Sequence, residues 1–292
     1  MEFPTFDELL DRVFYCDSEC FAHDTLFVFI SHKTQERFVF HNATCDEYQS
    51  FMDEHNPILV TYNGKSYDKY ILKACLLGYS PEEIKEINDF IIGGNNGWDY
   101  PFQGYCKMPP LWDLFDCIKT FKSLKELEGN MRMNITETTV PFNLPDKWNK
   151  QQFEEVLYYC TMDVKALIPL FKRLMNNYKS KYIICKLGNI TPEIGLGMTD
   201  ANLTATLLGA EKHEHNDPFS YVYPIQIQKE KIPTKALEYF DDLIEHNDLN
   251  YKPKAPSFKF GECLVQLGTG GLHGARETTF IYDRGDNLTY ED

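Results

Sequence analysis

Three β-prone apolar runs fall within the first forty residues, and a helix pattern and a fourth run follow at once. This order constrains the fold more than any other feature. Arg12-Val13-Phe14-Tyr15-Cys16 leads into Asp17-Ser18-Glu19, and Leu26-Phe27-Val28-Phe29-Ile30 reads as a buried strand. Glu36-Arg37-Phe38-Val39-Phe40 alternates like an outer strand, so the spacing predicts a three-strand antiparallel meander. Thr44-Cys45-Asp46-Glu47 fits a capping box opening a helix to about residue 54, and Pro57 stops it. Ile58-Leu59-Val60-Thr61-Tyr62 is the next buried strand, broken by Asn63-Gly64. A helix is expected over 66–77 with Gly78 as its cap, then another with Ser80 as N-cap and Pro81 at its first position. Leu111-Trp112-Asp113 begins a short strand, 123–128 a short capped helix, and about 150–178 a helix kinked or broken at Pro169. The order β-β-β-α-β-α predicts the α/β class, a mixed sheet flanked by helices.

The 292 residues suffice for one large domain or two modest ones. After about residue 180 the texture changes to charge and proline, with one plausible helix at 235–246 and a glycine-rich stretch at 268–274. The expected division is therefore a domain over 1–180 and an appended C-terminal segment over 181–292. Nine cysteines at irregular spacing, with no C-x-x-C, predict reduced thiols in a cytoplasmic compartment rather than a disulfide framework. Cys16-x3-Cys20 and His213-Glu214-His215 lack a second pair, so no zinc site is expected from them. No run approaches 18 apolar residues and the N-terminus has no signal-peptide pattern, so no membrane partner is expected. A net charge of -15 argues against tight binding to long nucleic acid unless metal ions carry the contact.

Three polar elements stand out against the strands and helices. Asp17-x-Glu19 follows a predicted strand, where residues two apart share a side. In a chain with 44 acids such pairs arise about seven times by chance, so placement matters more than occurrence. Asn63-Gly64-Lys65-Ser66-Tyr67-Asp68 forms a strand-to-helix turn, and Asp68 on its own reads as a first-turn acid favoured by the helix dipole. Tyr159 and Asp163, at i and i+4, share a helix face.

Together, Asp17-x-Glu19, Asn63 with Tyr67-Asp68, and Tyr159-x-x-x-Asp163 resemble the DEDD exonuclease superfamily in its tyrosine-bearing branch, which has a ribonuclease H-like fold. The stretches at 123–128 and 134–142 are similar to the proofreading domain of a phage-type, family B-like DNA polymerase. Gly270-Gly271-Leu272-His273-Gly274 resembles the linker to the polymerase, and Tyr290-Glu291-Asp292 the start of its palm, which the sequence carries no further. The resemblance implies a 3′→5′ exonuclease on single-stranded or frayed DNA in a host bacterial cytoplasm. A polymerase portion in the same or another chain is the implied partner. It also implies two Mg²⁺ or Mn²⁺ ions held by Asp17, Glu19, Asp68 and Asp163, with Tyr159 orienting the attacking water. Hard divalent ions favour such oxygen ligands. Asn63 and Tyr67 become strand-binding candidates, as does Phe21, for which a core position is an equal alternative. Six basic residues and no acid over 164–188 offer a backbone track or a solvated helix face. RNA trimming and a non-catalytic binding module are the competing functions.

Overall fold

A computed structural model of the chain describes residues 3–118, 122–135, 137–210, 221–223, 228–247, 251, 253–260, 263–268 and 271–276. The chain divides into two compact units, Met1–Glu211 and Lys212–Asp292. The expected boundary at 180 falls inside a helix, because the change in composition there is not a break in structure.

In the first unit the elements run α1 (Phe6–Asp11), β1 (Val13–Cys20), β2 (Thr25–Ser31), β3 (Arg37–His41), α2 (Cys45–His55), β4 (Ile58–Thr61), α3 (Asp68–Leu76) and α4 (Pro81–Ile92). They continue with β5 (Leu111–Asp113), α5 (Leu124–Asn130), α6 (Lys150–Gly188), α7 (Pro192–Gly195) and α8 (Asp200–Leu208). Capping boxes open five of the helices, from Thr5, Thr44, Ser80, Ser123 and Asn149. Each such cap typically contributes about 1 kcal/mol. The five strands form one mixed sheet in the order β3-β2-β1-β4-β5. β1 with β2 and β2 with β3 pair antiparallel, as the spacing predicts, while β4 pairs parallel to β1 and β5 parallel to β4.

Alternation along β1 divides the core. Val13 and Tyr15 pack with Val28, Val60 and Trp112 against Val156, Val164, Leu167 and Phe171 of α6. Phe14, Cys16 and Cys20 pack with Phe27 and Phe29 against Tyr48 and Phe51 of α2, Ile71 and Leu72 of α3, and Ile84 and Ile87 of α4. With helices on both faces, β1 and β2 are buried almost throughout, whereas edge strand β3 alternates between exposed and half-buried. β1 also runs four residues beyond its apolar run, through Cys20, so the acidic pair lies within the strand. α6 runs through Pro169 without ending there. The carbonyl this proline leaves unbonded belongs to exposed Lys165, where water can take it.

In the second unit, α9 (Thr234–His246) matches the expected helix. It is followed by an antiparallel sheet of β6 (Ser257–Phe260), β7 (Cys263–Gly268) and β8 (Gly271–Arg276). Most of the glycine-rich stretch is thus strand. Gly270, His213-Glu214-His215 and Tyr290-Glu291-Asp292 lie outside the described residues.

Candidate metal and strand-end site

The carboxyl ends of β1 and β4 open beside each other, where ligands gather in open α/β sheets. A cavity of about 450 Å³ lies there, lined by residues from four places: Asp17 and Glu19 of β1, Tyr67 before α3, Lys85, Asn88, Asp89 and Ile92 of α4, and Tyr159 and Asp163 of α6. Ser18 and Cys20 of β1, with Phe142 and Asn143, complete the wall.

Strand pleating places Asp17 and Glu19 on the α6 side of the sheet. Asp68 comes from the other layer, as the first residue of α3, and its Oδ1 accepts a 2.5 Å bond from the Ser18 hydroxyl. The turn delivering it is built from backbone contacts to Asp113 of β5. Asp113 Oδ1 accepts from the Asn63 N–H at 2.7 Å and Oδ2 from the Lys65 N–H at 2.9 Å. Asn63 adopts a left-handed φ of 60°, and a side chain at Gly64 would run into Thr61, so the Asn-Gly pair is required for the bend itself. Asn63 is exposed and is not among the cavity's lining residues, unlike Tyr67, whose hydroxyl donates to Asn88 Oδ1 at 2.6 Å.

The acids are held at high electrostatic cost. Burial first, then the charges of Asp68, Glu19 and Asp163, raise Asp17 well above the usual carboxylate range. Glu19 is raised by burial and by Asp163 and Asp68. Burial pushes Asp68 up to about 7, although the Ser18 hydroxyl opposes the shift. Asp163 is raised by burial against the pull of Lys125. Carboxylates shifted together in this way are those a bound cation would stabilise. Among the described residues, Asp17, Glu19 and Cys160 bring one potential ligand atom each to within 4.8 Å of one another. The Cys160 thiol donates a 3.7 Å contact to the Asp17 carbonyl, and its burial raises its pKa. The oxygen-rich remainder suits a hard divalent ion. Burial and the charges of Glu19, Asp163 and Asp17 raise the Tyr159 hydroxyl, keeping it a protonated donor.

Some residues at the site carry no sequence signal. Lys125 of α5 pairs with Asp163 and lies 3.5 Å from Glu128 Oε2, with its ammonium 4.8 Å from the Tyr159 ring centroid. Burial disfavours the Lys125 charge, but Asp163 and Glu128 outweigh it and the pKa rises. Glu128, 2 % exposed, is a fifth acid beside the cluster. In the sequence these two appear only in the capping pattern of α5 and in the general resemblance of 123–128 to a proofreading domain, and neither gives them a place in the site.

Phe21 takes the alternative of its two expected places: it is 1 % exposed, within the core. Its ring stacks on Phe142 at 4.7 Å and meets Trp148 edge-on at 4.7 Å. The phenylalanine on the cavity wall is instead Phe142, 51 % exposed. Its carbonyl accepts from the Ala22 N–H at 3.1 Å. Buried Asp24 secures the same stretch. Its Oδ1 accepts from His41 Nε2 at 2.7 Å and Asn42 Nδ2 at 2.8 Å, while Oδ2 accepts from the Trp148 N–H at 2.9 Å. In Asp24→Asn one acceptor becomes an amide donor facing an N–H. The expected result is a loss of about 1–3 kcal/mol, read as a fall in melting temperature. An unchanged melting temperature would show that Asp24 does not hold this wall.

No protein-family model matches this sequence, and no curated protein matches it.

Proposed function

We propose that this chain is a metal-dependent 3′→5′ exonuclease that shortens single-stranded or frayed DNA. Its proposed setting is the proofreading portion of a phage-type, family B-like polymerase. The observation that carries the reading is convergence: acids separated by more than 140 residues in sequence, Asp17, Glu19 and Asp163, line one cavity, with Asp68 coupled to them electrostatically. The strand order β3-β2-β1-β4-β5, with two antiparallel pairings followed by two parallel ones, supports a ribonuclease H-like fold.

Two Mg²⁺ or Mn²⁺ ions, held by Asp17, Glu19, Asp68 and Asp163, would supply a nucleophilic water and charge compensation for phosphodiester hydrolysis. Around them, the Tyr159 hydroxyl donates to and orients the attacking water. Lys125 holds Asp163 in place and adds positive charge beside the cluster. Phe142 and Ile92, both exposed apolar side chains on the wall, take the terminal bases by stacking and contact, the role expected of Phe21. Tyr67 bounds the same groove through its bond to Asn88.

The test is a 3′-labelled single-stranded DNA incubated with the full chain and Mg²⁺ or Mn²⁺. The expected products are mononucleotides released from the 3′ end, with none from Asp17→Ala or Asp163→Ala. Wild type that releases no nucleotides with either metal would overturn the reading. A matched RNA strand degraded faster than the DNA would move the activity to RNA trimming.

A further inference from the structure

The outer face of α6 carries Lys165, Lys172, Lys179 and Lys186, one every seventh residue, and all four are exposed. Seven residues nearly close two helical turns, drifting by about 20°. The four therefore stay within a sector of about 60° and form one line about 31 Å long, at about 1.5 Å per residue. Arg173 is exposed beside them. Lys181, the sixth basic residue of this stretch, is not part of the line: it is buried, with its ammonium donating to the Met198 carbonyl at 2.7 Å. None of the four lysines is in an ion pair among the described residues. At the composition of the whole chain about four acids would fall in residues 164–188, and there are none. An unselected solvated face would mix both signs in a protein of net charge -15.

We propose that this lysine line binds the phosphodiester backbone of a nucleic acid, at nucleotides outside the catalytic cavity. The inference rests on the reading of the chain as a nuclease. Lys165 lies about 200° around the helix from Asp163, at about 100° per residue. The line thus faces away from the cavity, and the nucleotides it meets are not those being cut. A linear polyanion matches a linear row of cations. An interfacial membrane helix instead needs a broad apolar face, and only Ile183 and Leu187 are exposed apolar side chains along the row beyond Lys165.

The test uses the full chain in EDTA, which prevents cutting. Labelled oligo-dT of 30 and of 6 nucleotides is titrated with salt, for wild type and for a variant with all four lysines changed to Gln. The variant should bind the 30-mer about tenfold more weakly at low salt. Its slope of log affinity against log salt should shrink by about two to three, since each phosphate contact on a single strand contributes about 0.7. With Mn²⁺ restored, its rate on the 6-mer should stay within twofold of wild type. Arg at the same four positions should restore binding of the 30-mer, which separates charge from folding. An unchanged salt slope would overturn the proposal, as would an equal loss on the 6-mer. Binding to phosphatidylserine vesicles but not to the 30-mer would assign the line to a membrane instead. If wild type binds the 30-mer with the expected slope yet cuts neither oligonucleotide, the lysine line stands and the exonuclease reading falls.

Discussion

Asp17→Asn is expected to abolish strand hydrolysis and at the same time to raise the melting temperature of the protein in EDTA. The two effects have one cause. Asp17 is raised by burial and then by three like charges, Asp68, Glu19 and Asp163, so without a cation its ionised form is opposed from every side. Asparagine keeps the shape and removes the charge. The gain should be about 1–3 kcal/mol, or several degrees of melting temperature. The loss of turnover should be at least about 10³-fold, because one of the proposed metal ligands has gone. Calorimetry and a 3′-end release assay on one preparation measure both. A variant less stable than wild type in EDTA would make Asp17 a structural acid and remove it from the proposed centre.

The second large effect concerns pH. In EDTA, stability should fall as pH rises from 5 to 8. Asp68 has an ordinary value of 3.8 and is raised to about 7 in the fold. Between those values the folded protein keeps a proton that the unfolded chain has released. The contribution is therefore full below about pH 4 and lost by about pH 7, at up to about 1.4 kcal/mol per pH unit for this group. Asp17 and Glu19 are shifted in the same direction by burial and by one another. The capping acids Glu8 and Glu47 are shifted down, first by their bonds to the Thr5 and Thr44 backbone. Their contribution is present above the ordinary value and lost only as pH falls below it, outside this window. Millimolar Mn²⁺ should cancel the decline, because a cation replaces the proton. The check is melting temperature at pH 5 and 8 with and without Mn²⁺. A rise toward pH 8 in EDTA, or equal Mn²⁺ stabilisation at both values, would contradict the charge-cluster argument.

Sequence patterns were legible where structure is local. The capping boxes at Thr44 and Ser80 are short-range hydrogen-bond motifs, and the alternation at 36–40 already marks an edge strand. The continuation of β1 was not legible, because Asp17 and Glu19 break the apolar run that identifies a buried strand, yet Glu19 is 7 % exposed. An acid enters such a strand only where other groups share its charge, and those groups come from distant parts of the chain. Lys125, Glu128 and Phe142 lie in the stretches that resemble a proofreading domain, yet neither they nor Asn143 could be given a site role for the same reason: each is ordinary in its own segment and acquires a role by placement. Phe21 shows the converse. Its nearness to Glu19 in sequence did not determine its surroundings, since at residue 21 the chain has left β1 and turned into the core against Trp148.

The phase of β1 sets a limit on how this protein can vary. Neighbouring residues of the strand belong to opposite layers, so one inserted or deleted residue between Tyr15 and Asp17 would exchange the layers for everything beyond it. Both acids would then leave the cavity and enter the apolar layer formed by Tyr48, Ile71 and Cys75. Substitutions along the strand can be absorbed one at a time, but a change in its length cannot. Among relatives of this chain, insertions and deletions should accumulate in the β2–β3 turn and the 93–110 loop, and the count of residues from Val13 to Glu19 should stay fixed.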